Sequence, residues 1–215
     1  MCGLCHKPSD TDVSVRPKDG VTGLPDTTAS LDGKSEESID FKRLIHGIHA
    51  ASASNFDGTQ AHGFRTQGLV IYGYGGDTHD FSDVRFPGVL SKCETCHLPD
   101  TYTLADHSAD GGANWELPSM NGIKGSTVDS FPNAAADGSD FATQLTDQTD
   151  DLKYSPIASV CSACHDGDLP KAHMTQNGAI FGGAGSEQAV QEGNIEACPI
   201  CHGPGKLADV KLVHD

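Results

Sequence analysis

Four copies of Cys-x-x-Cys-His punctuate this 215-residue chain, and together they use all eight of its cysteines. They are Cys2-Gly-Leu-Cys5-His6, Cys93-Glu-Thr-Cys96-His97, Cys161-Ser-Ala-Cys164-His165 and Cys198-Pro-Ile-Cys201-His202. In this pattern two thiols form thioethers to the vinyl groups of a haem, and the adjacent histidine ligates its iron. Two intervening residues let both sulfurs reach one porphyrin edge while the next side chain turns beneath the metal. A chain carrying four such plates has to fold around them.

Zinc is the competing use of paired Cys-x-x-Cys units, because eight thiolates can build two tetrahedral sites. Zinc gives no reason for His6, His97, His165 and His202 each to follow the second cysteine. With 11 His in 215 residues, four such coincidences arise with a probability of roughly one in 100,000. A disulfide framework has no use for those histidines either. The reading is four covalently bound c-type haems, with electron transfer as their business.

Composition points to the same kind of core. Only 36 % of the chain is hydrophobic and 6 % aromatic, against 25 Gly and 11 Pro. Side chains this polar and this rich in turn formers would struggle to bury a core by themselves. The expected fold is mainly irregular and α, with few short helices, little sheet and a core built on covalent haem. The whole of 1–215 is expected to be one tetrahaem domain that unfolds when its haems are removed.

The formal net charge of −16 argues against nucleic acid and against docking on anionic membranes. It leaves positively charged minerals, cationic partner patches and calcium as counterparts, with solubility of an exported protein as the default. No stretch has the apolar length of a membrane span. Met1 is followed at once by a haem-binding cysteine, so no signal peptide is visible. Haem attachment takes place outside the cytoplasmic membrane, so the expectation is an exported precursor and a mature or truncated chain.

Along the chain, a polar, turn-rich connection is expected from Pro8 to Glu37. Residues 39–50 are the clearest helix, with Phe41, Leu44, Ile45 and Ile48 in the i, i+3, i+4, i+7 pattern and Ser38 as N-cap. Residues 68–74 suit a short strand before a Gly-Gly turn. The acidic, glycine-rich stretch 101–155 is expected to be irregular, with one short helical turn. Residues 186–196 suit a helix capped by Ser186. Asp137, Asp140, Asp147, Asp150 and Asp151 offer oxygen ligands for calcium but lack EF-hand order; a solvated acidic loop accounts for them as well.

Each haem also needs a sixth ligand or a vacancy. Seven histidines lie outside the motifs: His46, His49, His62, His79, His107, His173 and His214. His46 and His49 stand three residues apart on the predicted helix, roughly 60° apart around its axis. From the edges of the apolar stripe they could serve two different haems. His173 and His214 follow the third and fourth motifs and complete a set of four distal candidates. His62, His79 and His107 are then surface or supporting residues.

Phe41-Lys-Arg-Leu-Ile-His46-Gly-Ile-His49 resembles the paired-ligand helix of the OmcA/MtrC-type outer-surface decahaem cytochromes. The likeness continues through Tyr72-Gly-Tyr-Gly-Gly-Asp-Thr-His-Asp-Phe-Ser-Asp-Val-Arg-Phe-Pro-Gly88 and Ser155-Pro-Ile-Ala-Ser-Val-Cys161. It extends to His173-Met-Thr-Gln-Asn-Gly178, Cys201-His-Gly-Pro-Gly205 and Ala208-Asp-Val-Lys-Leu-Val-His214. The resemblance implies closely spaced bis-histidine haems with His46, His49, His173 and His214 as distal ligands. It further implies a place on the cell exterior, passing electrons to metal oxides, flavins, electrodes or partner cytochromes. Haem domains of that family usually hold five haems and come in pairs separated by β-barrel modules. This chain starts where the second haem of such a domain would stand, as expected of a tetrahaem relative or of part of a longer protein. Continuation into further copies of itself, as a filament, would suit a tetrahaem unit. The alternative class is a multihaem redox enzyme with one open haem reducing a small molecule. Such enzymes often carry lysine in place of a motif histidine, and no Cys-x-x-Cys-Lys occurs here.

Overall fold

The computed structural model describes residues 5–6, 10–51, 65, 68–99, 101–104, 126–127, 153–182 and 196–214. Their regular structure consists of short helices joined by long irregular connections, with two small antiparallel ladders. The helices are α1 (Phe41–His49), α2 (Pro156–Cys161), α3 (Asp168–Gln176), α4 (Cys198–His202) and α5 (Val210–His214). Strands β1 (Val70–Tyr72) and β2 (Thr78–Asp80) form one ladder, β3 (Ser126–Thr127) and β4 (Lys153–Tyr154) the other. No helix among the described residues is long and apolar enough to cross a membrane.

The polar connection ahead of α1 is organised by a buried arginine. Arg16 donates to Asp12 at 2.8 Å, to Asp32 at 2.6 and 3.0 Å, to Ser30, and to the Lys34 and Val70 carbonyls. Its guanidinium also lies over the Tyr72 ring. Two carboxylates and a fully used set of donors are what make a buried cation tolerable. They fasten an otherwise irregular loop to β1.

Helix α1 starts with its hydrophobic pattern at Phe41, two residues later than the expected 39, and Asp40 caps it instead of Ser38. Asp40 accepts a hydrogen bond from the Lys42 N–H, the usual N-cap arrangement. The delay has a tertiary cause. Ser38 bridges Thr11, and the Ile39 N–H donates to the Asp10 carbonyl, so these residues are held extended against the preceding loop. Leu44 and Ile48 pack with Ile39 and Phe81 on a small cluster of Ala51, Leu69 and Ile71. Gly47 lets this packing close, because a Cβ there would lie 3.2 Å from Leu69. The most buried large side chain of α1 is Arg43, which reaches α2 by donating to the Ser159 carbonyl and the Ser162 hydroxyl.

The strand expected over 68–74 is realised over 70–72 alone. The chain reverses at Gly75 and Gly76, whose φ values of 79° and 83° suit residues without a Cβ. Register pairs Ile71 with His79 and leaves His79 exposed beside Phe81. Helix α2 is capped from a distance: Glu196 accepts from the Ile157 and Ala158 N–H groups and from the Ser155 hydroxyl. A second cluster, Ala158, Met174 and Ala179, joins α2 to α3. The stretch 101–155 contributes β3 and β4 to the described fold. The acidic residues Asp137, Asp140, Asp147, Asp150 and Asp151 lie outside the described residues, and so does the helix expected over 186–196 with its Ser186 cap, apart from Glu196, which is not helical. Cys2, His62 and His107 lie outside them too.

Candidate functional site: paired histidines at the Cys-x-x-Cys-His motifs

Each described motif is a single tight turn that brings its first cysteine and its histidine onto one side. The His97 N–H donates to the Cys93 carbonyl at 2.9 Å, and the His165 N–H to the Cys161 carbonyl at 2.8 Å. Cys198–His202 is itself the helix α4, with Pro199 in its first turn. A separation of four residues places Cys and His one above the other on a helical turn. All seven described cysteines, Cys5, Cys93, Cys96, Cys161, Cys164, Cys198 and Cys201, are free of disulfides. Burial pushes the Cys161 and Cys198 thiols up to about 12 and Cys164 up to about 11. Among the described residues no group of three or more His, Cys, Asp or Glu converges as a metal cluster.

The motif histidines meet partners from distant parts of the chain. His97 faces His46 with ring centroids 5.9 Å apart, His165 faces His214 at 6.1 Å, and His202 faces His173 at 6.1 Å. A metal–nitrogen bond is about 2.0 Å and a ring nitrogen sits about 1 Å from its centroid, so two imidazoles sharing one metal have centroids about 6 Å apart. Each pair could therefore hold one metal atom between its rings.

Hydrogen bonding directs the right nitrogen inward. His46 Nδ1 lies 2.6 Å from the Lys42 carbonyl, His214 Nδ1 2.8 Å from Val210, His202 Nδ1 2.9 Å from Ala208, and His6 Nδ1 3.0 Å from Ile39. An Nδ1–H donated to a carbonyl leaves the Nε2 lone pair for a metal and fixes the ring. Burial pushes the His46 imidazole below its ordinary value, and the nearby His97 and His49 add to this against the opposing Lys42 carbonyl. Burial and His214 do the same to His165. Both shifts favour the neutral imidazole, which keeps a lone pair.

His6 and His49 border opposite ends of α1. His6 meets it at Ile39 and Phe41, and His49 ends it with its ring edge against Phe86. The third motif also adjoins the histidine pair of the second: the Cys164 thiol approaches the His46 carbonyl at 3.9 Å.

The protein-family model described as outer membrane cytochrome MtrC/MtrF-like, domains II/IV, matches residues 1–215. The chain belongs to this family. Comparison with curated proteins and with solved structures gives no match. As an MtrC/MtrF-like outer membrane cytochrome, the chain is of the multihaem, electron-transferring kind, and the family's place is the cell's outer surface.

Several residues around the MtrC/MtrF-like site were not singled out by their sequence pattern. Glu196 ties the approach to the fourth motif onto α2, which ends in the third. The Lys42 amine is buried and pairs with Asp40 at 2.8 Å. Its burial pushes its pKa down. Large apolar side chains also stand in water beside the motifs: Leu98, Ile200, Leu207, Leu212 and Val213 are all more than half exposed. Apolar residues flanking the motifs carry a signal for this only if a plate-like cofactor is expected beside them.

Proposed function

We propose that residues 1–215 form a tetrahaem electron conduit in which every iron is held by two histidines. His46 pairs with the motif histidine His97, His214 with His165, and His173 with His202; His49 is the remaining distal candidate and stands at the opposite end of α1 from His6. The thioethers come from Cys2 and Cys5, Cys93 and Cys96, Cys161 and Cys164, and Cys198 and Cys201. The observation that carries this reading is the threefold meeting of a motif histidine with a non-motif histidine at about one metal's width.

Two further features support it. The apolar side chains exposed beside the motifs suit a porphyrin face, which would complete a core that the chain's own side chains leave small. The Lys42 amine, paired with Asp40 at 2.8 Å, has further N–H groups that suit a propionate carboxylate.

Bound haem supplies one-electron chemistry between ferric and ferrous iron. The chain's part is to hold the sites side by side. The His46 carbonyl lies 3.9 Å from the Cys164 thiol, and Glu196 fastens the approach to the fourth motif onto α2, which ends in the third; both support a short path running from the second through the third to the fourth. The fitting acceptors are metal oxides, flavins, electrodes or partner cytochromes outside the cell. Continuation into further copies as a filament extends the same reading, and electron microscopy of the purified protein tests it.

The deciding experiment is the visible spectrum of the dithionite-reduced protein with and without carbon monoxide, alongside its intact mass. The expected result is a c-type spectrum indifferent to carbon monoxide and a mass increased by four haems. A carbon monoxide shift would expose an open iron and favour the redox-enzyme class. A protein without haem bands would overturn the reading.

A further inference from the structure

The three described histidine pairs have nearly equal separations but different ring geometry. The planes of His46 and His97 are almost parallel, 6° apart, whereas those of His165 and His214 cross at 65° and those of His173 and His202 at 79°. Local structure holds these orientations. His46 is anchored by its bond to the Lys42 carbonyl one helical turn earlier. His97 closes a tight turn and has the Tyr102 ring beside it at 5.9 Å, tilted by 59°. In the crossed pairs, His214 is tied to Val210 in its own short helix, and His202 to Ala208 in the loop that follows α4.

From this we infer that the chain builds two electronically different kinds of haem site: a parallel-plane site at His46–His97, and crossed-plane sites at His165–His214 and His173–His202. The inference rests on the bis-histidine reading above. An imidazole donates π density perpendicular to its ring, into one of the two iron d orbitals that lie along the axial direction. Parallel rings raise the same orbital and split the pair. Crossed rings raise one orbital each and leave the pair almost degenerate. Ferric low-spin iron has one hole in this pair and ferrous iron has none, so the splitting stabilises the ferric state. The orientation of His46 and His97 therefore favours oxidation at the second motif, through axial-ligand control of iron electronics. Near-degeneracy at the crossed sites leaves orbital angular momentum unquenched, which makes the magnetic response strongly anisotropic.

Low-temperature electron paramagnetic resonance of the fully oxidised holoprotein tests this directly. The expected spectrum contains a rhombic low-spin signal with all its features resolved, together with strongly anisotropic low-spin signals integrating to at least two haems per chain. His46→Ala is expected to remove one haem's worth of the rhombic signal and replace it with a high-spin one. His173→Ala is expected to take its loss from the anisotropic signals. A wild-type spectrum of one low-spin class only would overturn the inference without needing either variant. So would loss of an anisotropic signal on His46→Ala. High-spin iron in the oxidised wild type, or a carbon monoxide shift on reduction, would instead count against bis-histidine ligation itself, so the two failures are distinguishable.

Discussion

Arg16 and Glu37 show how single charged residues shape a chain with little apolar material. The Arg16 side chain is fully buried between Asp12 and Asp32. Its removal strands two carboxylates in the interior, so Arg16→Met is expected to cost about 3–5 kcal/mol, read as an earlier denaturant midpoint of the holoprotein. Glu37 answers to pH. Burial pushes its carboxyl up, but Lys34 and Arg43 more than offset this and hold it at about 2, below its ordinary 4.5. A depressed folded value means stability that is fully present above pH 4.5 and lost progressively as pH falls towards 2. Melting temperatures across that window are expected to fall steeply in the native chain and less steeply in Glu37→Gln. Equal slopes would show that Glu37 does not govern the acid limb. Neither role is legible from composition, because burial of an arginine or glutamate depends on partners that only the fold assembles.

The elements are short, and remote groups complete them. Helix α2 spans Pro156–Cys161, too short to persist alone, and its N-terminal N–H groups are satisfied by Glu196, some forty residues later. Loss of this buried carboxylate leaves those donors unpaired. Glu196→Ala is expected to cost about 3 kcal/mol, since hydrogen bonds to charged groups contribute about 1.5–3 kcal/mol each. The same variant is expected to perturb both the third and the fourth haem in a spectroelectrochemical titration, because Glu196 joins the elements that bear their motifs. A wild-type titration curve would separate the cap from the sites. At this scale α1 and the Gly75–Gly76 reversal are legible in the sequence, because a periodic pattern and paired glycines are local signals. Helices α2, α3 and α5 are not, because their few residues hold too little periodicity to show. The N-cap shifted from Ser38 to Asp40 because the Asp10–Thr11 segment pairs with Ser38 and Ile39.

Over the whole molecule, the described apolar clusters are small: Ala51, Leu69 and Ile71 in one, Ala158, Met174 and Ala179 in the other. Clusters of this size offer little hydrophobic stabilisation against the entropy of ordering the chain. Replacing all eight motif cysteines with serine, which prevents haem attachment, is therefore expected to give a chain without a cooperative thermal transition, followed by circular dichroism and limited proteolysis. A cooperative melt would show that side chains alone sustain the fold. The four Cys-x-x-Cys-His motifs and the histidines outside them are legible in the order of residues, because the motif is a local pattern with fixed spacing. The family was legible from the ordered segments around them. Only the tertiary structure decided that His46 meets His97 and not another motif histidine, that His214 turns to His165 and His173 to His202, and that one pair lies parallel while two cross. Those relations join residues between 29 and 51 positions apart. They follow from where α1, α3 and α5 dock and which carbonyls the Nδ1 atoms of His46, His202 and His214 find, and no local pattern encodes either.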